Sequence, residues 1–279
     1  MFVNYYLNSG VDKIILFFDD PNDESIERLK CLDKVTCVRC RAESGAPDRR
    51  NIEQRQLTNA SAGLEMARNE GMDWIIHVDA DELISVPERN VKSYLKRLDT
   101  NVDAVRFPTL EAVPNPTGVK HFFEDVHWFR VGNPRVEATA RALGCHNALE
   151  YGYFKGHRDG KTATRTRSPV KSIGIHVPIA QDGQGLRVMT SSEAFTLHFD
   201  CCTFDEWKLK WLRRCDGTAI ALEMRPDRRR QLSDFLAAFH TGSEALLQKE
   251  YIRQRAIPPA EESILVSTGL LKKIYLSSE

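Results

Sequence analysis

The residues Asp79-Ala80-Asp81-Glu82 stand directly after a short apolar run, Trp74-Ile75-Ile76-His77-Val78. Two carboxylates spaced by one residue repel each other unless a cation or protons lie between them. The cation that suits such oxygen ligands is a hard divalent ion, Mg2+ or Mn2+. One or two carboxylates hold it, and the phosphates of a substrate complete its shell. The other reading of the same letters is an Asp-rich turn at a strand end, because Asp favours turns and helix entries. Glu82 reads as a solvated residue of the next turn, with a place just outside the ion's ligand shell as the alternative.

Position sharpens the metal reading. An apolar run of that length, bounded by charge, reads as a buried strand of a mostly parallel sheet. Ligands of open α/β sheets bind outside the carboxyl ends of the strands. Asp79 and Asp81 are therefore expected on one rim, within reach of one bound object.

The elements that must hold this rim follow in order along the chain. Phe2, Tyr5 and Tyr6 mark the end of an amphipathic helix, with Gly10 as its C-cap. Ile14–Phe18 and Val35–Val38 read as strands, with a helix over Ser25–Leu32 between them. A polar loop, 42–50, precedes a long helix from about Asn51 to Glu70, closed by Gly71. Pro87 opens a helix whose Val91, Tyr94, Leu95 and Leu98 share a face. Ala104–Phe107 is another strand. Such alternation predicts a parallel, Rossmann-like sheet. Residues 108–170 show no long periodic run, and loops of that extent are often functional. Ile173–Val177 and Ala194–Phe199 read as strands. Thr203 and Glu206 form a capping-box pattern ahead of Trp207 and Trp211, and helices continue to about Gln254.

Composition narrows the class. The 279 residues suffice for one large α/β domain, alone or with a small annex. Lys plus Arg and Asp plus Glu each number 39, so there is no basic field for nonspecific nucleic-acid binding. No run approaches the roughly 18 apolar residues of a membrane span, and the first residues read unlike a signal peptide. Seven cysteines without framework spacing favour a reduced, cytoplasmic setting. Cys37-x-x-Cys40 lacks the second pair that a zinc site wants, since Cys201 and Cys202 are adjacent.

Four stretches in this order resemble nucleotide-sugar glycosyltransferases of the family 2-like group, which have the GT-A fold. They are Tyr5-Tyr6-Leu7-Asn8-Ser9-Gly10-Val11-Asp12 running to Asp19-Asp20; Asp79-Ala80-Asp81-Glu82, similar to the family's DxD motif; Gly156-His157-Arg158-Asp159-Gly160-Lys161 with Arg165 and Ile175-His176; and Leu197-His198-Phe199 before the helix with Phe204, Trp207 and Lys210. The resemblance covers about residues 1–215. It implies a GT-A (Rossmann-like) domain there, with a mostly parallel central sheet flanked by helices, and a C-terminal helical extension over 216–279. It also implies a further strand ahead of the first helix, which holds the nucleotide base and which Met1 enters too late to include.

The resemblance further implies transfer of a sugar from a UDP- or GDP-sugar donor to a glycan or other hydroxyl acceptor, dependent on Mn2+ or Mg2+. Asp81 would ligate the ion directly, with Asp79 nearer the ribose or bound through water. His198 would be a third ligand, with His176 and His157 as rivals and a satisfied core histidine as the bland reading. Asp19 and Asp20 would open the nucleotide site. Lys161 and Arg165, beside Gly156 and Gly160, would neutralise phosphate, unless they belong to a solvated basic loop. Arg55 and Asn59 share a helix face that either reaches the nucleotide or lies on the surface. Asp125, with Glu124, resembles the acid pair on the acceptor side and would be the general base, with Asp200 and Glu111 as alternatives. Lipid-linked or capsular acceptors leave room for peripheral membrane contact.

Two other classes compete. A haloacid-dehalogenase-type phosphatase also places Asp-x-Asp at a strand end, but wants its nucleophile near the N-terminus and Thr or Val where Leu83 stands. A catalytically impaired module that binds sugar or nucleotide is the second.

Overall fold

The computed structural model describes residues 1–40, 52–115, 118–156, 158–216 and 224–276. In chain order the first elements are α1 (Phe2–Asn8), β1 (Ile14–Phe18), α2 (Ser25–Leu29), β2 (Val35–Arg39), α3 (Ile52–Asn69), β3 (Trp74–Ile76), β4 (Glu82–Ser85), α4 (Val91–Lys96) and β5 (Ala104–Phe107). Then come β6 (Thr109–Val113), α5 (Phe122–Asp125), β7 (Trp128–Val131), α6 (Pro134–Ala142), β8 (Lys161–Arg165), β9 (Val170–Ser172), β10 (Ile179–Ala180), β11 (Val188–Thr190) and β12 (Phe195–His198). The chain continues with α7 (Phe204–Cys215), α8 (Pro226–Phe239), α9 (Glu244–Arg255), α10 (Pro259–Ser267) and β13 (Leu271–Lys273). Two compact units interleave in sequence: Met1–Pro108 with Asp159–Thr196, and Thr109–Arg158 with Leu197–Glu279. This division differs from a single cut near residue 215.

In the first unit, β1 and β2 pair in parallel with Ile14 opposite Val35. A four-stranded sheet has the order β11-β5-β8-β3. Here the expectation of a mostly parallel sheet needs correction: β8 runs antiparallel to both β5 and β3, and only β11 is parallel to its neighbour β5. The fold is mixed α/β. The reason is β8, which enters between β3 and β5 from a distant part of the chain. Its sequence, Lys-Thr-Ala-Thr-Arg, carries no apolar run to announce it. The strand expected at Ile173–Val177 lies earlier, at β9. Helix α3 packs Ala60 and Leu64 on Val170 and Ile173, with Ile75 alongside.

Tyrosines of α1 fix β4. The Tyr6 hydroxyl donates to the Glu82 carbonyl at 3.0 Å and accepts the Ile84 N–H at 3.1 Å. Tyr5 donates to the Ile84 carbonyl at 2.9 Å. Gly10 turns with φ +79°, and a Cβ there would lie 2.9 Å from the Asn90 amide, so glycine is required. Asn90 in turn caps α4 through the Ser93 N–H.

The second unit holds the antiparallel run β13-β7-β6, with Leu271 opposite Arg130 and Ala112 opposite Phe129. Residues 108–158 are thus more regular than their composition predicts. β6 is buried along its whole length and shows no alternation, and α6 is short and polar. Helix α7 has the expected capping box and buries Trp207 and Trp211 against Phe235, Leu247 and Tyr251. A second core gathers Val113, Tyr153, Phe154, Leu265 and Leu271. Among the described residues, no helix is long and apolar enough to cross a membrane.

Gly160 decides how β8 begins. Its φ is +69°, and a Cβ would sit 2.0 Å from the Phe107 carbonyl oxygen. Gly183 has a similar φ, +75°, but open space around it. Gly183→Ala therefore carries only left-handed strain, about 1 kcal/mol, whereas Gly160→Ala adds a backbone collision and should cost at least about 3 kcal/mol. Urea denaturation of the two variants checks this; equal losses would contradict it.

Candidate functional site

The acidic stretch is a tight turn. β3 stops at Ile76, and the Glu82 N–H closes the turn onto the Asp79 carbonyl at 3.0 Å. The Glu82 carboxylate returns to accept the Asp79 N–H at 2.9 Å. Ala80 and Asp81 form the corner, and Asp81 is half-exposed. Glu82, expected in solvent, is only 5% exposed. The correction has a physical cause in a partner far away in sequence.

That partner is Lys161, the first residue of β8. Its side chain is fully buried, and its ammonium donates to Asp79 Oδ2 at 2.9 Å and lies 3.1 Å from Glu82 Oε2. Burial by itself pulls a lysine toward neutrality, but Glu82 and Asp79 outweigh it and hold Lys161 above its ordinary value. The second Asp79 oxygen, Oδ1, accepts from Gln56 of α3 at 2.7 Å. Both Asp79 oxygens are therefore engaged by protein donors. The Lys161 N–H bonds the Thr196 hydroxyl, which donates to the Phe107 carbonyl, so the start of β8 is held from both sides.

Two histidines border the turn in the same unit. His77 contacts the Gly174 carbonyl at 3.2 Å, and His176 contacts the Gly160 carbonyl at 2.9 Å, each through Nδ1. Burial, with Lys161 adding to it, holds His77 below its ordinary value; burial does the same for His176. His157 lies outside the described residues.

The remaining nucleotide-site candidates divide. Asp19, at the end of β1, pairs with Arg55 of α3 at 2.8 Å. Asp19, Asp20, Arg55, Gln56 and Asp79 line one cleft of about 1040 Å³. Asp20 also accepts the Asn22 N–H within its own turn. Asn59 accepts weakly from Cys40. Arg165 does something else: its guanidinium lies 4.2 Å over the Trp74 ring and donates to the carbonyls of Val102 and Asp99. Lys161 and Arg165 belong to a buried strand, which excludes the solvated loop.

The second unit has a charged centre of its own. Asp200 is 4% exposed and takes a bond from Lys210, with Arg255 Nη1 at 3.6 Å from Oδ2. Glu111 is fully buried, accepting from the Lys155 N–H at 2.8 Å and from Arg130 at 3.4 Å. Its other oxygen, Oε1, has no partner among the described residues. Gly156 packs here: a Cβ would lie 3.0 Å from Glu111 Oε1 and 3.1 Å from the His198 ring. Burial opposes ionisation of both acids. Lys210, Arg255, His198 and Arg228 nevertheless hold Asp200 well below the carboxylate range, and Arg255 and Arg130 lower Glu111. Asp125 is exposed and accepts the Lys120 and His121 N–H groups at 2.8 and 2.9 Å, which lower it too; Glu124 beside it is exposed. In the sequence Glu111 and Asp200 stand only as alternatives to Asp125. Their burial depends on Arg130 and Arg255, which no local pattern marks.

Lys161→Met tests the turn. Removing one partner of a buried ion pair leaves uncompensated charge, about 3 kcal/mol of stability at neutral pH. The wild-type contribution of a raised lysine is complete below its unfolded pKa of 10.5 and fades as pH climbs through the higher folded value. In Lys161→Met the two acids lose that ammonium, so the folded state gains protons more readily and the deficit against wild type should shrink from pH 7 to pH 4. Urea midpoints across that range read it; a deficit that is flat or grows on acidification would contradict the buried pair.

No protein-family model matches the chain. It is similar to two curated proteins of Arabidopsis thaliana. One is named glycosyltransferase-like At3g57200, 28% identical over 229 residues, which is 79% of this chain and 44% of that protein. The other is named glycosyltransferase-like At2g41451, 28% identical over 128 residues, 44% of this chain and 28% of that protein. The chain thus spans less than half the length of either relative.

Proposed function

We propose that the protein transfers a sugar from a nucleotide-diphosphate donor, a UDP- or GDP-sugar, to a hydroxyl of a glycan acceptor, with a divalent ion, Mn2+ or Mg2+, on the family 2-like GT-A plan. The observation that supports this most is the built turn at the tip of β3, facing a cleft shared with Asp19, Asp20 and Arg55. A solvated Asp-rich turn needs no buried lysine beneath it.

The residues fit a metal unequally. Asp79 is bound by Lys161 and Gln56, which makes it a poor direct ligand and suits it to orienting the turn or accepting a ribose hydroxyl. Asp81, at the corner, is the hard oxygen donor that a divalent ion takes. His198, the nitrogen ligand that the resemblance implies, belongs to the second unit. A bound ion would supply Lewis-acid stabilisation of the charge growing on a departing diphosphate.

The chain's own residues account for the other needs. Arg55, held by Asp19, offers a guanidinium to phosphate or ribose at the cleft mouth. Lys161 holds the two acids close despite their mutual repulsion, and so sets the turn's shape before any donor arrives. An inverting transfer needs a base for the acceptor proton. Asp125, with Glu124 next to it, fills that role in this reading because it is exposed; Asp200 and Glu111 are held by buried cations.

Calorimetry with UDP and GDP, each with and without Mn2+, tests the proposal. Metal-dependent nucleotide binding is expected, and Asp81→Ala should abolish it with the thermal midpoint unchanged. Unchanged donor affinity in Asp81→Ala would remove that residue from the site. Metal-dependent phosphate release from simple phosphoesters would put a phosphatase in place of the transferase, and no nucleotide binding at all would leave a non-catalytic module.

A further inference from the structure

Around Asp200 in the second unit, cations outnumber acids. Asp200 is engaged twice, by Lys210 of α7 and by Arg255 of α9. Glu111, the other buried acid there, is shared between Arg130 and Arg255. Two further arginines stand in the same electrostatic neighbourhood. Arg228, in the first turn of α8, acts on Asp200 and feels both Arg214 and Arg255. Arg214, in the last turn of α7, lays its guanidinium 5.3 Å over the Trp211 ring. Among the described residues neither Arg214 nor Arg228 has a carboxylate partner, and Arg228 makes one weak bond, from Nη1 to Gln231 Oε1 at 3.4 Å. Asp227, the acid next to Arg228, pairs with Arg225 at 3.3 Å.

This placement of Arg228 works against folding in three ways. Its side chain is half-buried, which penalises the charge. Burial, with Arg214 and Arg255 beside it, outweighs the pull of Asp200 and holds the guanidinium below its ordinary value. A cation in the first turn of a helix also faces the positive end of the helix dipole. Other arginines of the unit show the contrast. Arg253 is matched by Asp234, Glu150 and Glu250, Arg230 by Glu150, and Arg158 by Glu137. A charge that breaks local rules with no internal partner marks a functional position.

The chemistry selects the ligand. Arg214 and Arg228 leave two positive charges without acids. A phosphate ester carries about two negative charges at neutral pH. Its oxygens suit the fork of a guanidinium, which binds them in pairs. Lys210, half-buried and held by Asp200, brings an ammonium to the same place. A carboxylate would match only one of the two charges.

We propose that Lys210, Arg214 and Arg228 form a phosphate site in the second unit, with Asp200 as the acid that holds Lys210 in place. The group it takes is a phosphate ester, carried either by a nucleotide or by a phosphorylated sugar. The site needs neither the acidic turn nor a divalent ion, and so goes beyond the transferase reading.

Calorimetry on the full chain in EDTA, which silences any divalent ion, tests the site. Inorganic pyrophosphate is the first probe, and the wild-type protein should bind it. Arg228→Met should weaken that binding at least about tenfold, the worth of one charged hydrogen bond. Arg229→Met, which removes the exposed arginine one residue on, should leave it within about twofold. Without anion, the thermal midpoint of Arg228→Met should equal or exceed that of wild type, because an unmatched cation has gone. UDP and mannose 6-phosphate, each titrated alone, name the source: the tighter of the two assigns the site to a nucleotide or to a sugar phosphate. Absence of pyrophosphate binding by wild type overturns the site. Equal losses in Arg228→Met and Arg229→Met overturn it too, since they mark a diffuse field. A lowered midpoint in Arg228→Met with pyrophosphate binding intact makes Arg228 structural and overturns it likewise. Should Arg228→Met fail to fold, Arg214→Met carries the same comparison.

Discussion

A buried ammonium under an acidic turn is the constraint on which the first unit depends. Lys161 reaches Asp79 and Glu82 from a strand that arrives more than seventy residues later in the chain. Without it, two carboxylates would be forced together beside buried backbone. With it, the turn has one shape, closed by the reciprocal bonds between Asp79 and Glu82. Gly160 permits the close approach of β8 to Phe107, and Thr196 stitches that approach. Tyr5 and Tyr6 then fix β4 on the other side of the turn. The rim is rigid because sheet, helix and charge all converge on it.

This arrangement separates the roles of the two aspartates. Asp79 belongs to the scaffold, bound by Lys161 and Gln56, while Asp81 occupies the corner beyond. The same contrast runs through the second unit. Asp200 and Glu111 are deep acids matched to Arg255, Arg130 and Lys210, and Asp125 is an exposed acid that organises its own short loop. Those cations hold both acids below the ordinary carboxylate value, which makes them weak proton acceptors; Glu111 packs beside Gly156 and His198.

Locally encoded features were legible in the sequence. β1, α3, β5 and the capping box at Thr203 and Glu206 follow from apolar runs, caps and glycines that act within a few residues. The acidic turn was legible for the same reason. Features set by distant partners were not. β8 is polar in sequence and buried in the fold, because its Lys161 and Arg165 find Asp79, Glu82 and the Trp74 ring. Glu82 carries no local sign of burial. β6 shows no alternation because it is covered throughout. The sheet's mixed direction hangs on that one inserted strand, which is why reading alternation alone predicted a parallel sheet.

Lys161 commits Asp79 to the scaffold, and in the proposed reading a bound ion goes to Asp81. Carboxyl carbon NMR of the protein with UDP, titrated with Mn2+, addresses this directly, since the paramagnetic ion broadens the signals of the carboxylate it touches. The Asp81 resonance should broaden first, at low Mn2+, with Asp79 affected less. Preferential broadening of Asp79, or no broadening of either, would contradict it.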